Sequence, residues 1–131
     1  MKRVKDKIAE IETFLDELKG FMPDDFKDYK SDTVIKAACE RYVEKIIEAA
    51  VDLSFLIIKQ KNFRIPQDDI DAFNILLSER VIDKDLAARL RDAKGMRNII
   101  AHQYGEIDDK IVFYSMKEKL EKDVREFIKK I

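Results

Sequence analysis

Apolar residues recur every three or four positions along most of the chain, which is the spacing of one face of an α-helix. The first run of this kind is formed by Val4, Ile8, Ile11, Leu15 and Leu18. Gly20 and Pro23 then interrupt the pattern and predict the end of a first helix. The polar segment 24–30 predicts a connection, with Phe26 and Tyr29 as its anchors.

A second helix is predicted from a cap at Ser31 or Asp32 to about Asn62, before Pro66. One apolar stripe along it is formed by Cys39, Val43, Ile46, Ala50, Leu53 and Ile57. A second stripe beside the first is formed by Ile47, Val51, Phe55 and Ile58. A helix that is apolar around most of its circumference belongs at the centre of a bundle.

One row of this central helix stays polar, and it is formed by Arg41, Glu44, Lys45, Glu48 and Asp52. Within the row, Glu44–Glu48 and Glu48–Asp52 are like-charge pairs four residues apart, which mildly destabilise a helix. Two interpretations remain open. Either water screens these carboxylates on an exposed face, or a cation from another helix lies against them.

The second half of the chain is predicted to contain three more helices: a short third helix, a fourth helix and a last helix. A short helix starts at a cap on Asp68 or Asp69, and a last helix runs from Asp108 or Asp109 to the end of the chain. The last helix has apolar residues at Phe113, Met116, Leu120, Val124, Phe127 and Ile131. The whole pattern predicts an all-α fold, an up-and-down bundle of four long helices plus one short helix, in a single domain spanning residues 1–131.

The fourth predicted helix carries a charge where its pattern requires an apolar residue. After a cap at Asp83, its stripe runs through Leu86, Leu90, Ala93, Arg97 and Ile100. A buried guanidinium at Arg97 needs an anionic partner, which Glu48, Asp52 or a phosphate would provide. Gly95 in the same helix costs up to about 1 kcal/mol relative to alanine. It either permits a close approach of another helix or is simply tolerated.

Composition and charge narrow the classes of function. The 26 basic and 27 acidic residues leave a net charge of −1, so no global field attracts nucleic acid, and any contact with it must be local. Cys39 is the only cysteine and His102 the only histidine, so one chain cannot supply an internal disulfide or a zinc site. We therefore expect a cytoplasmic protein without metal or cofactor. No apolar stretch reaches the roughly 20 residues that cross a membrane.

His102 lies five residues after Arg97 and is followed by Tyr104 and by Gly105, which suits the end of a helix. On a straight helix this separation is a rotation of about 140° and a rise of about 7.5 Å, so the two side chains do not share a face. Asn98, four residues before His102, does share its face. Arg97 and His102 can meet one substrate if the arginine reaches round the helix, or if a twofold dimer joins two copies of the motif.

These groups suit the cleavage of RNA without a metal. The reaction needs a base for the 2′-hydroxyl, an acid for the leaving 5′-oxygen, and cations for the charge that develops on the phosphate. Two copies of His102 could serve as base and acid, and Arg97 has the forked donors that phosphate oxygens accept. The competing interpretation is that His102 only completes a helix end, where the helix dipole favours an imidazolium.

The string Arg97-Asn98-Ile99-Ile100-Ala101-His102-Gln103-Tyr104 resembles the Arg-x4-His-x-Tyr signature of HepT-type toxins, which belong to the HEPN superfamily. The resemblance covers nearly the whole chain, since residues 41–50 look like the second helix of that family and residues 86–98 like its fourth. It implies a HEPN-like, dimeric toxin ribonuclease that acts on RNA without metal, with Arg97 and His102 as the catalytic pair at the dimer cleft.

The resemblance also implies a partner and a form of control. The usual partner of such toxins is a minimal nucleotidyltransferase that acts as antitoxin, and the tyrosine of the motif, here Tyr104, can be modified with AMP. We expect Asn98, Glu48 and Asp52 to support the catalytic pair. The alternative function is a non-catalytic HEPN module that binds the nucleotidyltransferase or a nucleotide.

Overall fold

The computed structural model describes residues 2–102 and 108–131. Within these ranges the chain is helical and contains no strand. The helices are α1 (Lys2–Phe21), α2 (Phe26–Ser31), α3 (Thr33–Gln60), α4 (Asp69–Ser78), α5 (Lys84–His102), α6 (Asp109–Ser115) and α7 (Glu121–Lys129), with a π-helical turn, Met116–Leu120, between the last two. The predicted all-α bundle is confirmed.

Aspartates start five of these helices, α2 to α6, and at α3, α4 and α6 they resolve the alternatives that the sequence left open. The carboxylates of Asp32, Asp68, Asp83 and Asp108 each accept a hydrogen bond from a backbone N–H two or three residues further on, at 2.7 to 3.2 Å. Each bond satisfies one of the N–H groups that a helix leaves unpaired at its start. These four helix starts are therefore fixed locally, by residues that the sequence pattern had identified.

Helix α3 lies at the centre of the bundle, as its two apolar stripes predict. It packs against α1, α2, α4 and α5, while α5 also packs against α7. Two ion pairs join α7 to α1. Arg125 lies 2.9 Å from Asp16, and Glu121 lies 3.9 Å from Lys19. A single cluster of buried side chains draws on all the helices. This packing holds α5 between the central helix and the last helix.

The first helix ends at Phe21, between Gly20 and Pro23, as predicted. Three other details of the sequence-based prediction were wrong. The segment predicted as a connection contains α2, although its anchor Tyr29 is fully buried as expected. Phe55 is 36% exposed, and Ile131 is 41% exposed because it lies beyond the end of α7.

The last predicted helix is interrupted by a turn of wider pitch. Met116 and Leu120 are both buried at the two ends of the π-helical turn, and Phe113 and Val124 are buried on either side of it. On a straight α-helix, the spacing of 3, 4 and 4 residues already keeps these four side chains within about 80° of one another. The wider turn therefore does not create the buried face, and all four side chains stay in the core through it.

Arg89 fastens α5 to α7. Its guanidinium lies 2.5 Å from the carboxylate of Asp123 and 2.7 Å from that of Glu126, and Asp85 on its own helix lies 3.0 Å away. The hydrogen bonds that Arg89 donates to Asp123 and Glu126 raise the pKa of its guanidinium above the ordinary value. Asp123 is only 7% exposed, so its charge depends on this partner.

We expect Arg89→Met to lower the free energy of unfolding by about 3 kcal/mol, because it leaves the buried carboxylate of Asp123 unpaired. Arg91→Met is the matched control, since Arg91 lies two residues away and contacts Asn74 at the surface, at 3.1 Å. It should change stability by no more than about 0.5 kcal/mol. Chemical denaturation followed by circular dichroism measures both. Equal effects of the two substitutions would contradict the proposed importance of the Asp123 contact.

Candidate active site on helix α5

Arg97 lies on the inner face of α5, where the apolar periodicity placed it. Leu86, Leu90 and Ile100 on the same stripe are between 0% and 4% exposed. The Arg97 side chain is 19% exposed, so it is largely withdrawn from water. The prediction that this arginine occupies a seam position is confirmed.

The anionic partner of Arg97 is Glu48 of the central helix. Nη2 of Arg97 donates to Oε1 of Glu48 in a short, direct ion pair. Nη1 donates to Oδ1 of Asn98 at 3.4 Å, which is long for a hydrogen bond. Nε is buried and has no hydrogen-bond partner within residues 2–102 and 108–131. The guanidinium is thus held mainly through one nitrogen.

The second acidic candidate, Asp52, takes a different cation. Its carboxylate lies 3.7 Å from Nζ of Lys7 on α1 and forms no ion pair with Arg97. Glu44 lies 3.4 Å from Arg41 on its own helix. Cations from two other helices therefore lie against the acidic row of α3, which decides between the two interpretations of that row.

An open cavity of about 390 Å³ adjoins Arg97. It is lined by Glu48, Val51, Asp52, Phe55, Asp69, Lys94 and Arg97. Lys94 is 8% exposed, and its Nζ forms an ion pair with Asp69 of α4 at 2.9 Å. The sequence reasoning missed Lys94. The sequence did contain a signal for its burial, because Ala87, Leu90 and Lys94 follow the same spacing of three and four residues by which Arg97 was assigned to the inner face.

His102 lies in the last turn of α5 with an exposed side chain. Because α5 is continuous from Lys84 to His102, the rotation of about 140° between Arg97 and His102 applies here. Arg97 lines the cavity and His102 does not. The structure of one chain therefore does not bring the two predicted catalytic side chains into one pocket. Tyr104 and Gly105 lie outside the described residues.

Cys39 does not compete with these residues as a reactive group. It is fully buried, and burial, followed by the charge of Glu40, raises the pKa of its thiol to about 11. A thiol in that state is a poor nucleophile at neutral pH. In the described part of the chain, no group of three histidine, cysteine or acidic residues is arranged to hold a metal ion. No described helix is long and apolar enough to cross a bilayer.

Comparison with known proteins identifies the family. The family model described as ribonuclease HepT-like matches residues 11–131, which is nearly the whole chain. The chain belongs to the ribonuclease HepT-like family. Membership confirms the resemblance drawn from the Arg97–Tyr104 motif, the HEPN-like helical fold and the predicted enzyme class, a ribonuclease.

Individual relatives agree with the HepT-like assignment. The chain is 30% identical to the mRNA nuclease HepT of Shewanella oneidensis, over 79% of this chain and 77% of that protein. It is 26% identical to the tRNA nuclease HepT of Aphanizomenon flos-aquae, over 86% and 77% of the two chains. A solved structure, a tri-AMPylated Shewanella oneidensis HEPN toxin in complex with its MNT antitoxin, matches with a TM-score of 0.89 and 28% identity, over 97% and 94% of the two chains.

We expect Glu48→Gln to lower the free energy of unfolding by roughly 1–3 kcal/mol, because it removes the charged partner of a largely buried guanidinium. Asp52→Asn, one turn further along the same helix, is the matched control. Its carboxylate is 62% exposed, so its loss should cost less than about 1 kcal/mol. Thermal or chemical unfolding of both variants makes the comparison. A larger loss for Asp52→Asn would refute Glu48 as the main partner of Arg97.

Proposed function

We propose that this HepT-like chain is the toxin of a toxin–antitoxin pair, and that Arg97 and His102 carry out its cleavage of RNA. The observation that carries the proposal is the environment of Arg97. It is a guanidinium on an apolar seam, held through one nitrogen and adjoining an open cavity. Structural roles do not require a cation there, since an apolar residue would fill the seam. The oxygens of a phosphate could accept hydrogen bonds from the N–H groups of Arg97 that Glu48 leaves unpaired.

The chemistry of the reaction assigns a role to each group. One His102 takes the proton of the 2′-hydroxyl, whose oxygen then forms a bond to phosphorus. The bond from phosphorus to the 5′-oxygen breaks, and a second His102 protonates that oxygen. Arg97 stabilises the charge on the nonbridging oxygens during the transfer. The products are a 2′,3′-cyclic phosphate and a free 5′-hydroxyl.

A site with two histidines requires a homodimer, and one face of α5 favours it. Gly95 and His102 are seven residues apart and so lie within about 20° of each other around the helix. A Cβ added at Gly95 would meet nothing within 4 Å, and Ile99 beside it is 44% exposed. No close approach by any of the described residues explains this glycine. We propose that a second copy packs here, which would bring the two His102 side chains together.

The description of a solved relative supports a protein partner for the proposed dimer. The solved Shewanella toxin is described as tri-AMPylated and in complex with an MNT antitoxin. We propose that this chain likewise binds a minimal nucleotidyltransferase, and that Tyr104, two residues after His102, is the site of AMP modification. A bulky anion at that position would compete with RNA for the cations of the site.

We also propose that residues 1–131 act as one domain in the cytoplasm. The single cluster of buried side chains supports one domain. The one cysteine, Cys39, is buried and unpaired, as is usual in a reducing compartment.

We expect the purified protein, without antitoxin, to cut single-stranded RNA in the presence of a metal chelator. His102→Ala and Arg97→Met should each lower the cleavage rate roughly 100- to 10,000-fold, since each removes a group that acts in the transition state. The readout is a gel of labelled RNA, with the cyclic phosphate identified by mass spectrometry. Arg91→Met, at the surface of the same helix, should cleave at the wild-type rate.

The substrate provides a second control for this experiment. An RNA with a single 2′-deoxy nucleotide at the cleavage position should resist cutting there, because it lacks the attacking hydroxyl. Cleavage that survives His102→Ala would remove the proposed mechanism. Complete inactivity of the unmodified dimer, combined with tight binding of the nucleotidyltransferase, would favour the binding module instead.

The dimer face makes a separate prediction. Gly95→Arg should convert the dimer to a monomer and lower RNA cleavage, while the helix stays folded because the added side chain points into open space. Gly20→Arg is the matched control, since Gly20 is also a helical glycine with nothing within 4 Å of an added Cβ. Light scattering after size exclusion gives the mass of each variant. A dimeric Gly95→Arg variant would rule out this face as the interface.

A further inference from the structure

The cavity beside Arg97 has a second built-in cation that the catalytic pair does not explain. Lys94 is buried to more than nine-tenths, and it lines the same cavity as Arg97. Counted round α5, Lys94 lies about 60° from Arg97 and His102 about 140° from it in the same direction. Along the helix axis, Lys94 lies about 4.5 Å before Arg97, and His102 lies about 7.5 Å after it. A strand of RNA that runs from His102 to Arg97 would therefore reach Lys94 next if it continued in the same axial direction.

In both ion pairs of the cavity, the cation is the anchored member and the carboxylate is the exposed one. The side chain of Lys94 is 10% exposed and that of Asp69 is 45% exposed. The side chain of Arg97 is 19% exposed and that of Glu48 is 39% exposed. An anionic ligand can therefore replace the carboxylates, which would turn into water at little cost. The buried cations would keep their positions and exchange one negative partner for another.

An aromatic ring completes the cavity. Phe55 follows Val51 and Asp52 by one turn of α3 and lines the cavity with them, yet it is 36% exposed. The other members of its apolar stripe, Ile47, Val51 and Ile58, are at most 5% exposed. Exposed aromatic faces beside cations are what single-stranded nucleic acids bind, because any base can stack on them. The volume of about 390 Å³ is within the range of small-ligand sites.

We propose that this cavity binds one nucleotide of the RNA strand, adjacent to the phosphate that is cut. Lys94 contacts its phosphate and Phe55 stacks on its base. The proposal rests on the proposed ribonuclease function and adds a substrate subsite to it. It also gives Asp69 a role, as the carboxylate that forms an ion pair with Lys94 until the phosphate of the RNA replaces it.

The test measures RNA binding separately from cleavage. A fluorescent single-stranded RNA of about 12 nucleotides, within the usual range of site sizes, is titrated with full-length His102→Ala protein at several salt concentrations. Adding Lys94→Met should weaken binding about tenfold and make the slope of log affinity against log salt shallower by about 0.7, the value for one phosphate contact. Lys94→Arg should restore the slope.

Two further substitutions separate recognition from structure. Phe55→Ala should weaken binding about tenfold without changing the salt slope, and Phe55→Trp should restore it, because only stacking is involved. Asp69→Asn should strengthen binding several-fold, since it removes the competitor for Lys94. Lys84→Met is the matched control. It lies on the same helix, about 15 Å before Lys94, and should leave binding unchanged.

The outcomes distinguish this subsite from the ribonuclease assignment. If the wild-type protein cuts RNA while Lys94→Met and Phe55→Ala bind it normally, the subsite is wrong and the assignment stands. If no RNA is cut but binding depends on Lys94, Phe55 and Asp69 as described, the subsite stands as an RNA site without catalysis. Weaker binding by Asp69→Asn would show that the Lys94–Asp69 pair is structural, and absence of any RNA binding would overturn the subsite.

Discussion

A charge on an apolar seam must be paired, and this constraint organises the candidate site. Arg97 interrupts the stripe by which α5 packs on the central helix, so the fold holds it only because Glu48 lies opposite. The pair ties the two helices together at the point where the cavity opens. The same contact that solves a folding problem also keeps a guanidinium in reach of a ligand. Stability and chemistry therefore depend on one interaction.

Much of the fold followed from periodicity and from single polar residues. The central position of α3 could be predicted because its apolar stripes cover most of its surface, and four helix starts could be predicted because aspartates precede them. Helix α2 could not be predicted, because six residues carry too little periodic signal and the burial of Tyr29 depends on α3 and α6. Gly20 and Pro23 marked the end of α1 correctly, since the helix stops between them at Phe21.

The site was predictable in its chemistry and less so in its contacts. The charge of Arg97 at an apolar position and the single histidine, His102, could both be found in the sequence alone. The choice of Glu48 over Asp52 could not, because it depends on how α1 and α5 are placed around α3. Lys94 was overlooked because a lysine next to Arg91 and Arg97 reads as part of a solvated basic strip. Its burial follows from α4, whose first turn brings Asp69 over it.

The π-helical turn between α6 and α7 has a consequence for the opposite side of α5. Each residue of an α-helix advances the side chains by about 100°, so a residue lost from a regular turn rotates everything that follows it. A π-helical turn holds one residue more than a regular turn, so a return to regular pitch would absorb a deletion there. A single-residue deletion within Met116–Leu120 would thus leave Asp123 and Glu126 facing Arg89, whereas the same deletion at the start of α7 would turn them away from it.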